Sequence, residues 1–234
     1  MIFITYDTDH MTEARMESFL STFRIPGEAT FFCTERFGSL ESKDNDRHEI
    51  GLHPFLDDQT DWMAVVTALR GQWPRSKSIR GVRAHSCTYS QRFGVNLSKA
   101  GFEYVSHVTV PISAPLQPYM YPWGIIEVPI HYMDNMDFTQ VEVYPDHTPF
   151  DLNFIQDAVS SPLAFIFDFH PIHLLINSTS AAEYAVWWEL GCPHDYCCEG
   201  RGVRDFYNDL VDIMIASGRQ SQGLSKLLST ARLS

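Results

Sequence analysis

What most constrains the fold of this chain is a repeated order: a short apolar run ends in a chemically active side chain, and a helix-spaced segment follows. IFITYD, rich in β-branched and aromatic residues, reads as a buried strand ending near Asp7. Met16, Leu20 and Phe23 fall at helical spacing within Thr12 to Phe23, and Pro26-Gly27 stops that helix before the strand ATFFCT. The alternation continues with a strand at HEIGLH (His48 to His53), a helix from Asp61 to Gln72, a strand at IRGVRAH ending near His85, and a polar helix from Ser90 to Ala100. FEYVSHVTV, GIIEVPI and LAFIFDFH complete seven strands, with a helix at Phe150 to Ser160 before the last. Strand, helix, strand order needs crossovers and hence a parallel sheet, and strands this apolar are covered on both faces. A closed or nearly closed α/β barrel meets both demands. An open doubly wound sheet would place a glycine-rich turn after the first strand to hold a dinucleotide, and TYDTDH is no such turn. After Asn177, SAAEYAVWWEL, RDFYNDLVDIMIASG and SQGLSKLLSTARL predict a helical C-terminal tail.

A chain of 234 residues with 44% hydrophobic content can bury a core without a disulfide or structural metal, so residues 1–234 are read as one domain. The net charge of −12 repels phosphate backbones and anionic head groups, which argues against nucleic acid as a partner. Apolar runs such as Leu163 to Phe167 are far shorter than the roughly 20 residues of a membrane span. MIFITYDTD has neither a basic leader nor a cleavage site, and Cys33, Cys87, Cys192, Cys197 and Cys198 do not form a disulfide framework. The expectation is a cytoplasmic protein.

Chemistry-bearing residues recur where strands are expected to end: Asp7 and Asp9, then His53, then Arg83 and His85, then His170 and His173. In a parallel barrel these ends converge on one mouth. Any one of them alone would more often cap a helix or sit as a satisfied structural residue; the series is what points to a site. Asp7 and Asp9 point to the same side of extended backbone, so a proton, a divalent metal or Arg83 must relieve their repulsion. His53 and His85 bring imidazoles that zinc accepts, and with Asp9 they make three protein ligands with an open fourth position, a catalytic arrangement.

These segments resemble the NodB-homology polysaccharide deacetylases, carbohydrate esterase family four. TYDTDH is similar to the family's first motif, ATFFCT to the strand after it, HEIGLHPF to the second motif, RAHS to the third, EVPIHYMD to the segment around the fourth and FHP to the fifth. HEIGLHP, RAHS and DFHPIHLLIN most resemble the WbmS-like branch, found with surface polysaccharide genes. The resemblance implies a distorted (β/α) barrel of seven strands and a metal-dependent hydrolase, with Asp7 as general base, Asp9 and His53 as metal ligands, Arg83 orienting Asp7 and His170 as general acid. The family's second ligand histidine falls at Asp57, and His85 and Ser86 stand where the family has proline and an aromatic residue. Either Asp57 or His85 could complete the metal shell. His85 is preferred because it ends a strand, whereas Asp57 falls in the solvated loop FLDDQTD. Asp134, near the loosely matched fourth motif, is a binding residue or a turn acid.

The implied reaction removes an acyl group, N-acetyl above all, from a small-molecule or oligosaccharide substrate, with a backbone N–H near Ser86 facing the oxyanion. The alternatives are a hydrolase of non-sugar C–N bonds, and a barrel that has lost catalysis and serves as a binding or assembly component. His173 and Asn177 read as a buried polar pair, and His48 starts its strand at the wrong end for catalysis. The cysteine-rich CPHDYCC has zinc-type ligands at an unusual spacing and reads as a loop with free thiols. Trp123, Trp187 and Trp188 could stack on sugars at a mouth, although Trp at helical spacing is more often core.

Overall fold

The computed structural model describes residues 1–74, 76–111 and 115–228. Its first strand, β1 (Ile2–Asp7), already contains the logic of the fold: alternate side chains face opposite sides of the sheet. Ile2, Ile4 and Tyr6 belong to one apolar cluster together with Met16 and Phe19 of helix α1 (Glu13–Thr22), while Phe3 belongs to a second with Phe32, Tyr104, Ile126 and Ile166. The first cluster lies between sheet and helices, and the second fills the interior of a curled sheet. Along β1, Thr5 and Asp7 share the inner face with Phe3.

The sheet runs on through β2 (Thr30–Cys33), β3 (Glu49–Leu52), β4 (Gly81–Val82) and β5 (Tyr104–Val105), each parallel to the one before. Between them lie α2 (Trp62–Gly71) and α3 (Gln91–Lys99), capped by the side chains of Asp61 and Ser90 on the first-turn amides. On the other side of β1 stands β9 (Phe165–Phe169), also parallel, with Tyr6 opposite Phe169. The remaining strands are β6 (Tyr119–Met120), β7 (Ile126–Glu127) and β8 (Tyr132–Met133).

The observed order is β6-β7-β5-β4-β3-β2-β1-β9-β8. Nine strands replace the seven expected, for two reasons. Tyr119–Met120 folds back antiparallel on β7 as a hairpin edge. And β7 and β8 are two pairing stretches of one extended segment, whose residues 128–131 pair in turn: Val128 N–H donates to Val105 O, Ile130 bridges Thr109, and His131 N–H donates to Ile166 O. That segment leaves β5 and joins β9, so the sheet curls round into a distorted barrel.

Helices α4 (Asp134–Thr139) and α6 (Pro171–Ile176), both too short to show a clear period, follow the ends of β8 and β9 directly. Helix α5 (Leu152–Ser160) matches the segment expected at 150–160, and α7 (Ala181–Glu189) and α8 (Val203–Ala216) supply the helical tail. Of the third tail helix, expected over 221–233, residues 224–227 form a 3-10 turn and Leu228 is helical, while 229–234 lie outside the described residues. Ser221 exchanges hydrogen bonds with Pro26 O and Glu28 N and accepts Ile4 N–H on its hydroxyl, while Leu224, Leu227 and Leu228 enter the inner cluster. The tail thus closes the barrel floor, and the strand C-termini are left at the opposite, open end.

Candidate metal centre

At that open end the inner faces of the strands carry polar side chains instead of apolar ones. Asp7 ends β1, Asp9 follows two residues on, His53 follows β3, Arg83 and His85 follow β4, and His170 follows β9. All are at least nine-tenths buried except His85, whose side chain is 37% exposed.

Arg83 is the hub beneath the mouth. Its guanidinium lies 4.2 Å above the Phe32 ring and donates to Ser106 O (3.1 Å) and Ser106 Oγ (2.8 Å). Its Nη1 donates to Asp7 Oδ1 (3.0 Å), Thr5 Oγ1 (3.0 Å) and Asp168 Oδ1, which also accepts the Thr5 hydroxyl at 2.6 Å. The side chains of Gly51 and Gly81 are missing for a reason: a Cβ on Gly51 would lie 2.5 Å from Phe32, and one on Gly81 would strike Tyr104. Those two rings fill the barrel just below the charged layer.

Above the hub, Asp9 Oδ2 lies 2.9 Å from His85 Nδ1, 3.4 Å from His53 Nε2 and 3.7 Å from His170 Nε2. His53 Nδ1 stands 3.7 Å from Asp7 Oδ1. Burial works against the charge of Asp9, yet the imidazoles of His53 and His85 hold its carboxyl well below the usual carboxylate range. Burial likewise opposes protonation of His53, and the carboxylates of Asp7 and Asp9 override it and raise its pKa. His170 donates from Nδ1 to Asp134 Oδ1 (2.7 Å), and its backbone N–H meets Asp134 Oδ2 (2.7 Å). Against the effect of burial, the Asp134 charge raises the His170 pKa to about 10.

One ligand atom from each of Asp9, His53 and His85 lies within 4.8 Å of the others. Both ring nitrogens of His53 and Asp9 Oδ1 are buried without a hydrogen-bond partner, a costly state that a cation held by one imidazole nitrogen and the carboxylate would relieve in part. Two imidazoles and a carboxylate are a donor set that zinc accepts, so the residues present fit a divalent metal. Asp57 is not part of this group. It is exposed and caps its own loop, accepting Gln59 N–H at 2.8 Å.

The residues singled out elsewhere are scattered. His48 sits near the opposite end of the barrel and accepts Ala29 N–H. His173 pairs with Ser178 Oγ, and Asn177, at φ 52°, accepts Arg204 N–H at the start of α8. All five cysteines are free, and none joins the potential metal-binding groups found among the described residues. Trp187 is fully buried, Trp123 is half-buried, and Trp188 is exposed. Sequence reasoning missed Asp168. Strand alternation from His170 back through LAFIFDFH puts it on the inner face, and that was the signal available.

The WbmS-like polysaccharide deacetylase family model matches residues 4–187, most of the chain and every strand end described above. The chain belongs to this family. None of the curated proteins matches it. Among solved structures it resembles a protein of Bordetella bronchiseptica described as a polysaccharide deacetylase involved in O-antigen biosynthesis, with 20% identity and a TM-score of 0.72 over 91% of this chain and 90% of that one. A 4-α-glucanotransferase of Thermococcus litoralis is similar at 15% identity and a TM-score of 0.51, over 98% of this chain and 38% of that one. Both likenesses are of fold. No helix among the described residues is long and apolar enough to cross a membrane.

Proposed function

We propose that this WbmS-like polysaccharide deacetylase is a metal-dependent hydrolase that removes an N-acetyl group from a carbohydrate in surface polysaccharide biosynthesis. The observation that carries the reading is the Asp9, His53 and His85 group, with its orphaned nitrogens, set between the Asp7–Arg83 pair and the His170–Asp134 pair. In this reading Asp9, His53 and His85 hold the ion. A bound zinc or similar ion lowers the pKa of its water to about 7 and polarises the acyl oxygen.

Asp7 presents a carboxylate whose Oδ1 is fixed by Arg83, leaving Oδ2 to accept the proton of the attacking water. His170 meets Asp134 through Nδ1, and that carboxylate favours the doubly protonated imidazolium, whose Nε2–H can be handed to the leaving amine. Ser86 sits at φ 55° in a turn whose neighbouring amides are tied to Pro54, Ala84 and His85 carbonyls, and its own N–H is the candidate donor to the oxyanion. The unpaired state of the five cysteines suits a reducing cytoplasm.

The test is elemental analysis of untagged protein beside Asp9→Asn, followed by acetate release from N-acetylated hexosamine oligosaccharides by wild type and Asp7→Asn. The reading expects about one transition metal per chain, lost in Asp9→Asn, and turnover lost in Asp7→Asn with the metal retained. Wild type that stays metal-free after reconstitution would instead make the chain a binding barrel.

A further inference from the structure

At the other end of the barrel, away from the metal ligands, the segments leading into β3 and β4 enclose a cavity of about 270 Å³. Two of the side chains lining it are more than nine-tenths buried, Trp73 at 4% and His48 at 7% exposure. Each has one buried ring nitrogen without a hydrogen-bond partner, Trp73 Nε1 and His48 Nε2. Both of these atoms are donors. The indole nitrogen is a donor by its chemistry. His48 accepts the Ala29 N–H on Nδ1 at 3.1 Å, so the proton of its neutral ring sits on Nε2. Burial and the Arg47 charge lower the His48 pKa to about 4, which keeps the ring in that form near neutral pH, and an edge-on contact with Phe31 at 5.4 Å holds it in place. One small cavity thus collects two buried N–H groups with nothing to receive them, a state that folded chains avoid.

The rest of the wall indicates what the missing acceptor belongs to. Leu40, Ile50 and Ile79 give it an apolar body. Glu49 also lines the cavity, but its oxygens are engaged by the Tyr104 hydroxyl at 2.9 Å and the Ser225 N–H at 2.8 Å, and Glu41 is paired with Arg36. Asp46 stands exposed at the edge, with its carboxylate available. Three carboxylates around so small a space disfavour a carboxylate or phosphate ligand. A neutral carbonyl oxygen has two lone pairs and can accept both N–H groups at once, and an N–H on the same molecule suits Asp46. At about 30 Å³ per water the cavity matches roughly nine waters, more than two donors need.

We propose that this cavity is a second binding site, for a small neutral amide of about ten non-hydrogen atoms, whose carbonyl oxygen accepts from His48 Nε2 and Trp73 Nε1 and whose N–H faces Asp46. The site shares no residue with the Asp9, His53 and His85 group, so it stands whether or not the chain is a deacetylase.

The test follows the indole N–H resonances of isotope-labelled wild-type protein during titration with acetamide, benzamide and benzoate at millimolar concentrations, the Trp73 signal being identified by its loss in Trp73→Phe. Benzamide should shift that signal saturably, acetamide should do so more weakly, and benzoate, of the same shape but anionic, should bind at least about tenfold more weakly than benzamide. With the Ile79 backbone amide as reporter, benzamide affinity should fall about tenfold in Trp73→Phe and about threefold in Asp46→Ala. Asp46 is exposed, so the second variant keeps the test open if the first does not fold. A Trp73 signal that neither amide moves would mean that water alone serves the two N–H groups and would overturn the proposal. Equal binding of benzamide and benzoate would overturn it too, as would wild-type affinity in the variants.

Discussion

Beneath the mouth, two buried carboxylates, Asp7 and Asp168, depend on the Arg83 guanidinium. Arg83→Met should therefore destabilise the protein by about 3–5 kcal/mol at neutral pH in urea unfolding, since it strands both acids. Arg83→Lys should recover little, because a point charge cannot reach Asp7, Asp168, Thr5 and Ser106 at once. For the metal, Asp9→Asn and His53→Ala should each lower occupancy by tenfold or about that, and His85→Ala should weaken binding more than Asp57→Ala. Elemental analysis after dialysis against a weak chelator checks both. The choice between His85 and Asp57 was already weighted in the sequence by strand-end position. That Asp57 spends its carboxylate on its own loop could not be read there, because an Asx turn and a ligand look alike in one dimension.

At the level of strands, two glycines and three imidazoles do work that propensity does not reveal. Gly51 makes room for Phe32, on which Arg83 rests, so Gly51→Ala should cost about 1–3 kcal/mol and displace the hub, and pairing it with Phe32→Leu should restore much of the stability. His48, His107 and His131 accept backbone N–H groups from Ala29, Ala84 and Ile166, which requires the accepting nitrogen to be unprotonated. Burial lowers the pKa of His48 and of His131 to about 4 and that of His107 to about 3. Their folded pKa values lie below the unfolded value of about 6.5, so the unfolded chain binds more protons between the two, and stability falls as pH drops from about 6.5 toward 4. Glu127 runs the other way. Burial lifts its pKa to about 7, and its contribution is lost as pH rises through that value. Thermal midpoints across pH 4 to 7, about a 3 kcal/mol decline per imidazole at most, check the sign, and His131→Asn should flatten the acid limb.

Across the whole molecule, the barrel has an open end with the acids and histidines and a closed end made by the chain's last described segment. Deleting residues 221–234 should uncover Phe3, Tyr104 and Ile166 from below and cost about 5 kcal/mol or more, given three buried leucines, while leaving every proposed metal ligand in place. Metal content per folded chain should stay constant as the thermal midpoint falls; loss of both together would mean the floor also sets the mouth. The pattern Leu224, Leu227, Leu228 has helical spacing, which is why a helix was expected there. Ser221 pairs with Pro26 and Glu28, and the 3-10 turn over Leu224–Leu227 that follows carries the leucines into the inner cluster.

By itself the sequence determined the strand-helix alternation, the parallel barrel and the set of strand-end side chains, because these rest on local period and on the two-residue repeat of a strand. It did not determine which residues meet. That His85 and His53 both face Asp9, that Asp168 shares Arg83 with Asp7, that Trp187 is core while Trp188 is exposed, and that the tail plugs the floor all follow from the curvature and register of the closed sheet. Those depend on contacts between residues far apart in the chain, for which local periodicity carries no signal.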